Sequence, residues 1–534
     1  MQGGGRLPRV AGPQVFLWLA WLLAGCVIVY VVGAPFWGAE YPMITEFPFH
    51  AAASSVFRHY GEADWHFREQ FVFQPLVEPS LSLYGLSALL MLVMPPVAAT
   101  KLASALLLAL LPLGLMVLCW GMRKSPLLGL WGLLPVWGVL TGWGFLNVLA
   151  GMGLFAMSVG LALRLVDRRS RELQVALLVC LALMFVTHAL RVPLALLAIA
   201  LAAVLMRERS EGMGPLLLVL LVGAFAFAGW WYFRASSSAL QVQWEWPPDW
   251  ERLSLMEGYL YDVWVDDRDL RVFRRALFFL LLTAAGLWGL RFFRSRTGPR
   301  APVVHGPHAV VGFSIVLFFV LYMTLPMEMG DHWYVFPREI TAAAFLLPAL
   351  LLPNLPNRTW AHLGFVAVAA VALLPLGYQS ARASREFSEN TVHFRTMVEE
   401  IPPAPKLLYL VFEHGGSRSK SSPFVHLPAY VQAERGGWLS FHFAEWERGP
   451  LRYRSRADSA AVVPPQTPAR WEWSPRLFRL EQQGAFFDWF LVRQKASPDE
   501  LFAADPAVQR VAHFENWWLY RRLSPSTGPI GKSP

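Results

Sequence analysis

Residues 14–34 read Gln14-Val-Phe-Leu-Trp-Leu-Ala-Trp-Leu-Leu-Ala-Gly-Cys-Val-Ile-Val-Tyr-Val-Val-Gly-Ala34, and six residues later the chain turns to Glu40-Tyr-Pro-Met-Ile-Thr-Glu46-Phe-Pro-Phe-His50. About twenty apolar residues are enough to cross a bilayer as a helix. Arg6 and Arg9 precede the run and no small-x-small cleavage signature follows it, so it reads as a retained signal-anchor helix. The second stretch then sets a carboxylate and an imidazole at the water boundary. Glu46 and His50 are four residues apart, a spacing that shares one helix face, so they are the catalytic candidates for an acid/base pair. The plainer reading is an interfacial amphipathic helix whose polar face holds them while Phe47, Phe49 and Phe57 dip toward lipid.

The rest of the chain enlarges the membrane reading. Of its 534 residues 55% are hydrophobic and 16% charged, too apolar a balance for an ordinary soluble protein. Apolar runs fall at about 14–34, 98–121, 126–141, 145–165, 173–190, 191–206, 215–233, 274–292, 308–326, 339–353 and 360–377, which predicts a mainly α, polytopic helical membrane protein of about 11 spans. The basic residues border these runs, at Arg123-Lys124, Arg168 to Arg171, Arg207 to Arg209, Arg291 to Arg300 and Arg358, as cytoplasmic loops require. The net charge of +9 is therefore topological, and nucleic-acid binding is not expected. The segment Leu81 to Met94 is apolar but short. Counting it as a span would carry Arg123, Lys124 and Arg168 to Arg171 outside, so it reads as a re-entrant or interfacial helix, the alternative being a short true span that breaks the rule.

With that topology the membrane domain is residues 1–384, with external loops at 35–80 and 234–272. Residues 385–523 return to soluble composition and are expected to form a small extracytoplasmic α/β domain, followed by a disordered tail at 524–534. Within it Lys406 to Phe412 and Phe487 to Arg493 read as strands, Val508 to Ala512 and Trp517 to Arg521 as a hairpin, and Ser388 to Glu400 as a helix. Cys26, Cys119 and Cys180 all lie in apolar runs, which implies neither a disulfide framework nor a zinc site. No cofactor is expected. Asp262, Asp266, Asp267 and Asp269 offer carboxylates to a divalent metal, but a solvated acidic loop explains them as simply.

One external loop after the first helix, an acid at its start, a short apolar segment after Pro75 and Pro79, many spans and an outer soluble tail together resemble the GT-C class of membrane glycosyltransferases. Within that class the pattern is similar to bacterial membrane proteins described as related to 6-pyruvoyl-tetrahydropterin synthase, whose first loop carries Asp-x-x-x-His. Here Glu46-Phe-Pro-Phe-His50 matches the spacing with Glu in place of Asp, and Glu40 and Asp64 are rivals for the catalytic acid. The resemblance implies an acid that positions or deprotonates the acceptor, and an Arg at the mouth of a late helix that clamps the phosphate of a polyprenyl-phosphate sugar donor. Pro326-Met-Glu-Met-Gly-Asp331-His332-Trp-Tyr-Val-Phe-Pro337-Arg338-Glu339 leads into such a helix and makes Arg338 the leading donor-binding candidate, with His332 beside it. Thr187-His188-Ala-Leu-Arg191-Val-Pro193, between two apolar runs, adds His188 and Arg191.

The implied partners are a lipid-linked sugar donor, a glycan, lipid or protein acceptor, and membrane lipids. The implied place is a bacterial inner membrane, with the N-terminus cytoplasmic and the C-terminal domain extracytoplasmic. The competing reading is a non-catalytic scaffold or a transporter in cell-envelope polysaccharide assembly. The spans are nearly free of charge, which argues against ion-coupled transport.

Overall fold

The computed structural model describes residues 12–75, 80–206, 212–235, 249–295, 305–329, 332–415, 418–446, 449–459, 461–466 and 471–523. The N-terminal arginines, Pro79, Arg207 to Arg209, Asp331 and the tail 524–534 lie outside the described residues.

Helix α1 (Gly12–Trp37) is followed by α2 (Phe47–His59), α3 (Phe67–Gln70), strand β1 (Phe71–Phe73) and α4 (Ser82–Leu90). The chain then continues through α5 (Pro96–Gly121), α6 (Val139–Trp143), α7 (Leu146–Asp167), α8 (Arg171–His188), α9 (Val192–Leu205) and α10 (Met213–Ala235). Next come α11 (Arg252–Leu260), α12 (Arg268–Ser295), α13 (His305–Thr324), α14 (Val335–Leu351) and α15 (Thr359–Glu400). Eight helices among the described residues are long and apolar enough to cross a membrane, and the protein is a multi-pass membrane protein.

Among the described residues, one of the eleven apolar runs, 126–141, departs from a single α-helix. Residues 126–141 form a 3-10 helix, Pro126–Leu133, then a turn and the short α6. Pro126, Gly129, Gly132, Pro135 and Gly138 explain this, since proline and glycine oppose a continuous α-helix. The main chain lies directly on α5, where a Cβ on Gly129 would stand 2.2 Å from the Met116 nitrogen. Leu127 through Leu134 are all buried, the condition under which irregular backbone is tolerated at membrane depth. The apolar stretch Arg171–Leu205 is split into α8 and α9 by a 3-10 turn, Ala189–Arg191, ahead of Pro193. The run 339–353 becomes the 17-residue α14.

The segment Leu81 to Met94 holds only the nine-residue α4. It enters beside the end of α8, where the Leu81 N–H donates to Val186 O at 2.7 Å. It leaves toward α5, whose Lys101 Nζ donates to Ala39 O at 2.6 Å just past the end of α1. Both anchors lie at the same end of the bundle, and Leu89, Leu92 and Val93 between them are exposed. Of the expected basic clusters, Arg123-Lys124 lies at the opposite end, where Arg123 pairs with Asp167 at 2.9 Å and Lys124 Nζ donates to Ala349 O and Leu352 O.

Helix α15 runs unbroken for 42 residues through position 384, so the two halves share one helix. Beyond it lie β2 (Lys406–Val411), α16 (Ala429–Arg435), β3 (Trp438–Leu439), β4 (Leu451–Tyr453), β5 (Trp489–Arg493), β6 (Val508–Phe514) and β7 (Trp517–Arg522). A five-stranded sheet of order β3-β2-β5-β7-β6 results, with β2 parallel to β3 and β5 and the remaining pairs antiparallel. β5 is buried along its whole length and β2 at every residue but the first, as apolar strands covered on both faces are. The segments read as strands and as a hairpin are therefore strands and a hairpin. This C-terminal region is sewn to the membrane half: β1 pairs antiparallel with β4, Phe71 opposite Tyr453, and Ser55 Oγ donates to Ala433 O at 2.7 Å.

Candidate active site

Glu46 stands at the N-terminal boundary of α2, and Pro48 in the first turn starts the helix there. Its backbone is fully committed. Glu46 N–H donates to Trp143 O at 3.0 Å, Glu46 O accepts from His50 N–H at 3.1 Å, and Thr45 N–H donates to Gly142 O at 3.0 Å. The partner loop can come this close because Gly144 takes φ +110°, and a Cβ there would stand 2.8 Å from the Glu46 Cβ. The side chain is treated differently: the Glu46 carboxylate makes no hydrogen bond or ion pair among the described residues. Burial pushes it up to about 7, opposed by the nearby Arg338 guanidinium.

His50 shares that face but has another task. Its Nε2 lies 3.0 Å from Gly144 O and its Nδ1 3.3 Å from the Tyr84 hydroxyl. A carbonyl only accepts, so Nε2 carries the proton and Nδ1 accepts from the Tyr84 O–H. Burial lowers the ring to about 4, which keeps it neutral. Both nitrogens are engaged, and His50 clamps Gly144 against α2.

Arg338 sits in the first turn of α14. The loop before it closes through paired backbone bonds between Met329 and His332, at 2.8 and 3.1 Å, and Tyr334 adopts φ +63° at the helix start. Arg338 Nη2 donates to Trp333 O at 2.7 Å, and the guanidinium carbon lies 4.5 Å from the centroid of the Phe145 ring. These contacts aim it at the space beside Glu46. Glu46, His50, Arg338, His188 and His332 all line one cavity of about 840 Å³.

Three expected residues stand elsewhere. Arg191 is 2% exposed, forms a 2.5 Å ion pair with Glu339 and lies over Phe318, so it braces the wall behind His188 and does not line the cavity. Glu40 belongs to a separate network, 3.5 Å from Arg395, which also pairs with Glu434 at 2.8 Å. Asp64 lies exposed in a 3-10 turn away from the cavity. The acidic loop is occupied as well: Asp262 pairs with Lys420 at 2.5 Å, Asp266 with Arg268 and Arg418, and Asp269 accepts the Val263 N–H. Asp262 and Asp266 thereby fasten this loop to the C-terminal region.

No family model and no curated protein matches the sequence. Solved structures do match in fold. ArnT from Cupriavidus metallidurans bound to undecaprenyl phosphate aligns at TM-score 0.53 with 14% identity over 95% of this chain and 99% of that one. The same protein in the apo state aligns at TM-score 0.53 with 13% identity over 96% and 99%. The chain has the fold of ArnT. That is a GT-C fold, so the layout resemblance stands at the level of architecture, while the narrower likeness to pterin-synthase-related proteins finds no support.

In this ArnT-like chain the opposite wall of the cavity comes from the C-terminal region, through His426, His442, Trp446, Glu472 and Trp473. Sequence reasoning missed all five. His442 Nδ1 accepts the Ala444 N–H at 3.0 Å, which places the ring proton on Nε2, a buried atom without a partner among the described residues. His426 Nδ1 is likewise buried and unpartnered. Phe49 of α2 packs against both rings, at 4.6 and 5.7 Å between centroids. Burial holds each of the two imidazoles down to about 3. The available signal was a polar ring inside the apolar runs Phe424-Val-His426-Leu and Phe441-His442-Phe443.

Proposed function

We propose that the protein is a membrane glycosyltransferase that moves a sugar from a polyprenyl-phosphate carrier to an acceptor on the extracytoplasmic side. The observation that carries this reading is the shared cavity, with an uncommitted carboxylate, Glu46, facing a guanidinium, Arg338. The undecaprenyl phosphate bound to the ArnT neighbour supports the class of carrier. In the reaction the acceptor hydroxyl oxygen forms a bond to the anomeric carbon as its proton passes to Glu46. The bond from that carbon to the phosphate oxygen breaks, and the polyprenyl phosphate leaves onto Arg338, with His332 and His188 beside it. A single displacement of this kind inverts the anomeric configuration. The acceptor enters along the C-terminal wall, where His442 Nε2–H offers a donor and Trp446 and Trp473 offer flat apolar faces.

In this reading all eleven apolar runs cross the membrane, the run 126–141 doing so as 3-10 helix and turn. The N-terminus is then cytoplasmic. The test uses lipid-linked sugars extracted from bacterial membranes as donors and follows release of polyprenyl phosphate. Glu46→Gln is expected to slow release by about 10²- to 10⁴-fold, the range general-base removal gives. The parent rate should climb with pH and level off above about 7. An unchanged rate in a well-folded Glu46→Gln protein removes Glu46 from the mechanism.

A further inference from the structure

We propose that a basic cleft at the end of the bundle opposite the active site holds the phosphate of an anionic phospholipid. The cleft, about 640 Å³, opens between α1, the turn after α5, α7 and the loop entering α15. Arg123, Lys124, Arg164 and His362 line it, as do Leu17 and Trp21.

Among the described residues the basic groups of the cleft outnumber its one nearby carboxylate, Asp167, whose field reaches Arg164 as well as Arg123. Asp167 pairs with Arg123 at 2.9 Å, whereas Lys124, only 8% exposed, is held by two carbonyls and by no carboxylate among the described residues. Arg164 has no ion pair or hydrogen bond among the described residues. Its guanidinium carbon lies 4.5 Å from the centroid of the Trp120 ring, and its Nε is buried without a partner. A guanidinium in that position is costly unless an anion meets it, and its planar fork suits a phosphate.

The remaining wall identifies the ligand as a lipid. Leu17 and Trp21 lie on the exposed apolar face of α1, next to Trp18 at 74% exposure, the kind of surface acyl chains cover. A phospholipid satisfies both walls at once, its phosphate on Arg164 and its chains along α1. Free phosphate would use only the basic wall. Basic pockets between spanning helices recognise anionic headgroups by this combination.

The experiment incubates the purified full-length chain in detergent with equimolar phosphatidylglycerol and phosphatidylcholine and counts retained lipids by native mass spectrometry. The unsubstituted protein is expected to retain phosphatidylglycerol severalfold over phosphatidylcholine. Arg164→Gln should cut phosphatidylglycerol retention by about fivefold, the equivalent of one cation at a membrane surface, with phosphatidylcholine unaffected and Arg164→Lys close to the parent. Equal retention of the two lipids by the parent, read without any variant, overturns the proposal. So does unchanged retention in Arg164→Gln. Thermal protection by inorganic phosphate equal to that by phosphatidylglycerol at matched phosphate also overturns it, and assigns the cleft to a soluble anion.

Discussion

Glu46 is distinguished by what its carboxylate lacks. Its own backbone N–H and C=O are bonded, the segment it leans on is fixed by Gly144 and His50, and the side chain alone is left over. Spacing in the sequence was enough to bring Glu46 and His50 to one cavity, because i and i+4 share a helix face. It was not enough to assign roles, since the bonds that occupy His50 come from Gly144 and Tyr84, residues distant in the chain. An ionisable group stranded in this way trades stability for function. Its folded-state carboxyl is raised from 4.5 to about 7 by burial. Below pH 4.5 the group is protonated in both the folded and unfolded chain. Between 4.5 and about 7 the unfolded chain releases its proton while the folded one keeps it, so folding stability falls as pH rises through that window. Glu46→Gln escapes this penalty. It is expected to melt at a higher temperature than the parent at pH 8, with the difference closing toward pH 5; a parent as stable as the variant at pH 8 would show that the carboxylate is solvated.

At the scale of elements, the site depends on short irregular pieces more than on the long helices. The C-terminal end of α6 with Gly144 receives Glu46, and the loop before α14 delivers Arg338. Gly144→Ala places a side chain at φ +110° and within 2.8 Å of the Glu46 Cβ. It is expected to cost about 1–3 kcal/mol of stability, read from thermal unfolding, and to impair transfer even though alanine adds no charge. If activity and melting temperature both stay unchanged, the loop is not what positions Glu46. The long helices were legible because each carries a run of bilayer length, and β2, β5 and the β6–β7 hairpin because their aromatic and β-branched content is dense. The 3-10 passage at 126–133 was less so: apolar length suggests a span, while the close approach of Gly129 and Gly132 to α5 is visible only in the folded chain. The acidic loop was misleading for a similar reason, since Lys420 and Arg418 reach it from more than a hundred residues away.

At the scale of the whole molecule, the candidate site exists only because two halves of the chain close on each other. The membrane half supplies Glu46, Arg338, His188 and His332, and the C-terminal region supplies His426, His442, Trp446 and Trp473. The only local trace of that wall is a histidine inside each of two short apolar runs, at His426 and His442. The strand pair β1–β4 and the ion pairs from the second external loop hold the halves together, which is why the first loop could be recognised as the site while its opposite face could not. Sequence identity of 13–14% to ArnT retains the architecture and leaves the reaction to be argued from these residues. The central claim is that Arg338 meets a carrier phosphate in the cavity that Glu46 lines. Equilibrium binding of undecaprenyl phosphate to the purified full-length chain tests it most directly. Arg338→Gln is expected to weaken binding by about 10- to 100-fold, the equivalent of one charge-assisted contact, with Arg338→Lys intermediate and Glu46→Gln no weaker than the parent. Binding by Arg338→Gln indistinguishable from that of the parent would contradict the account.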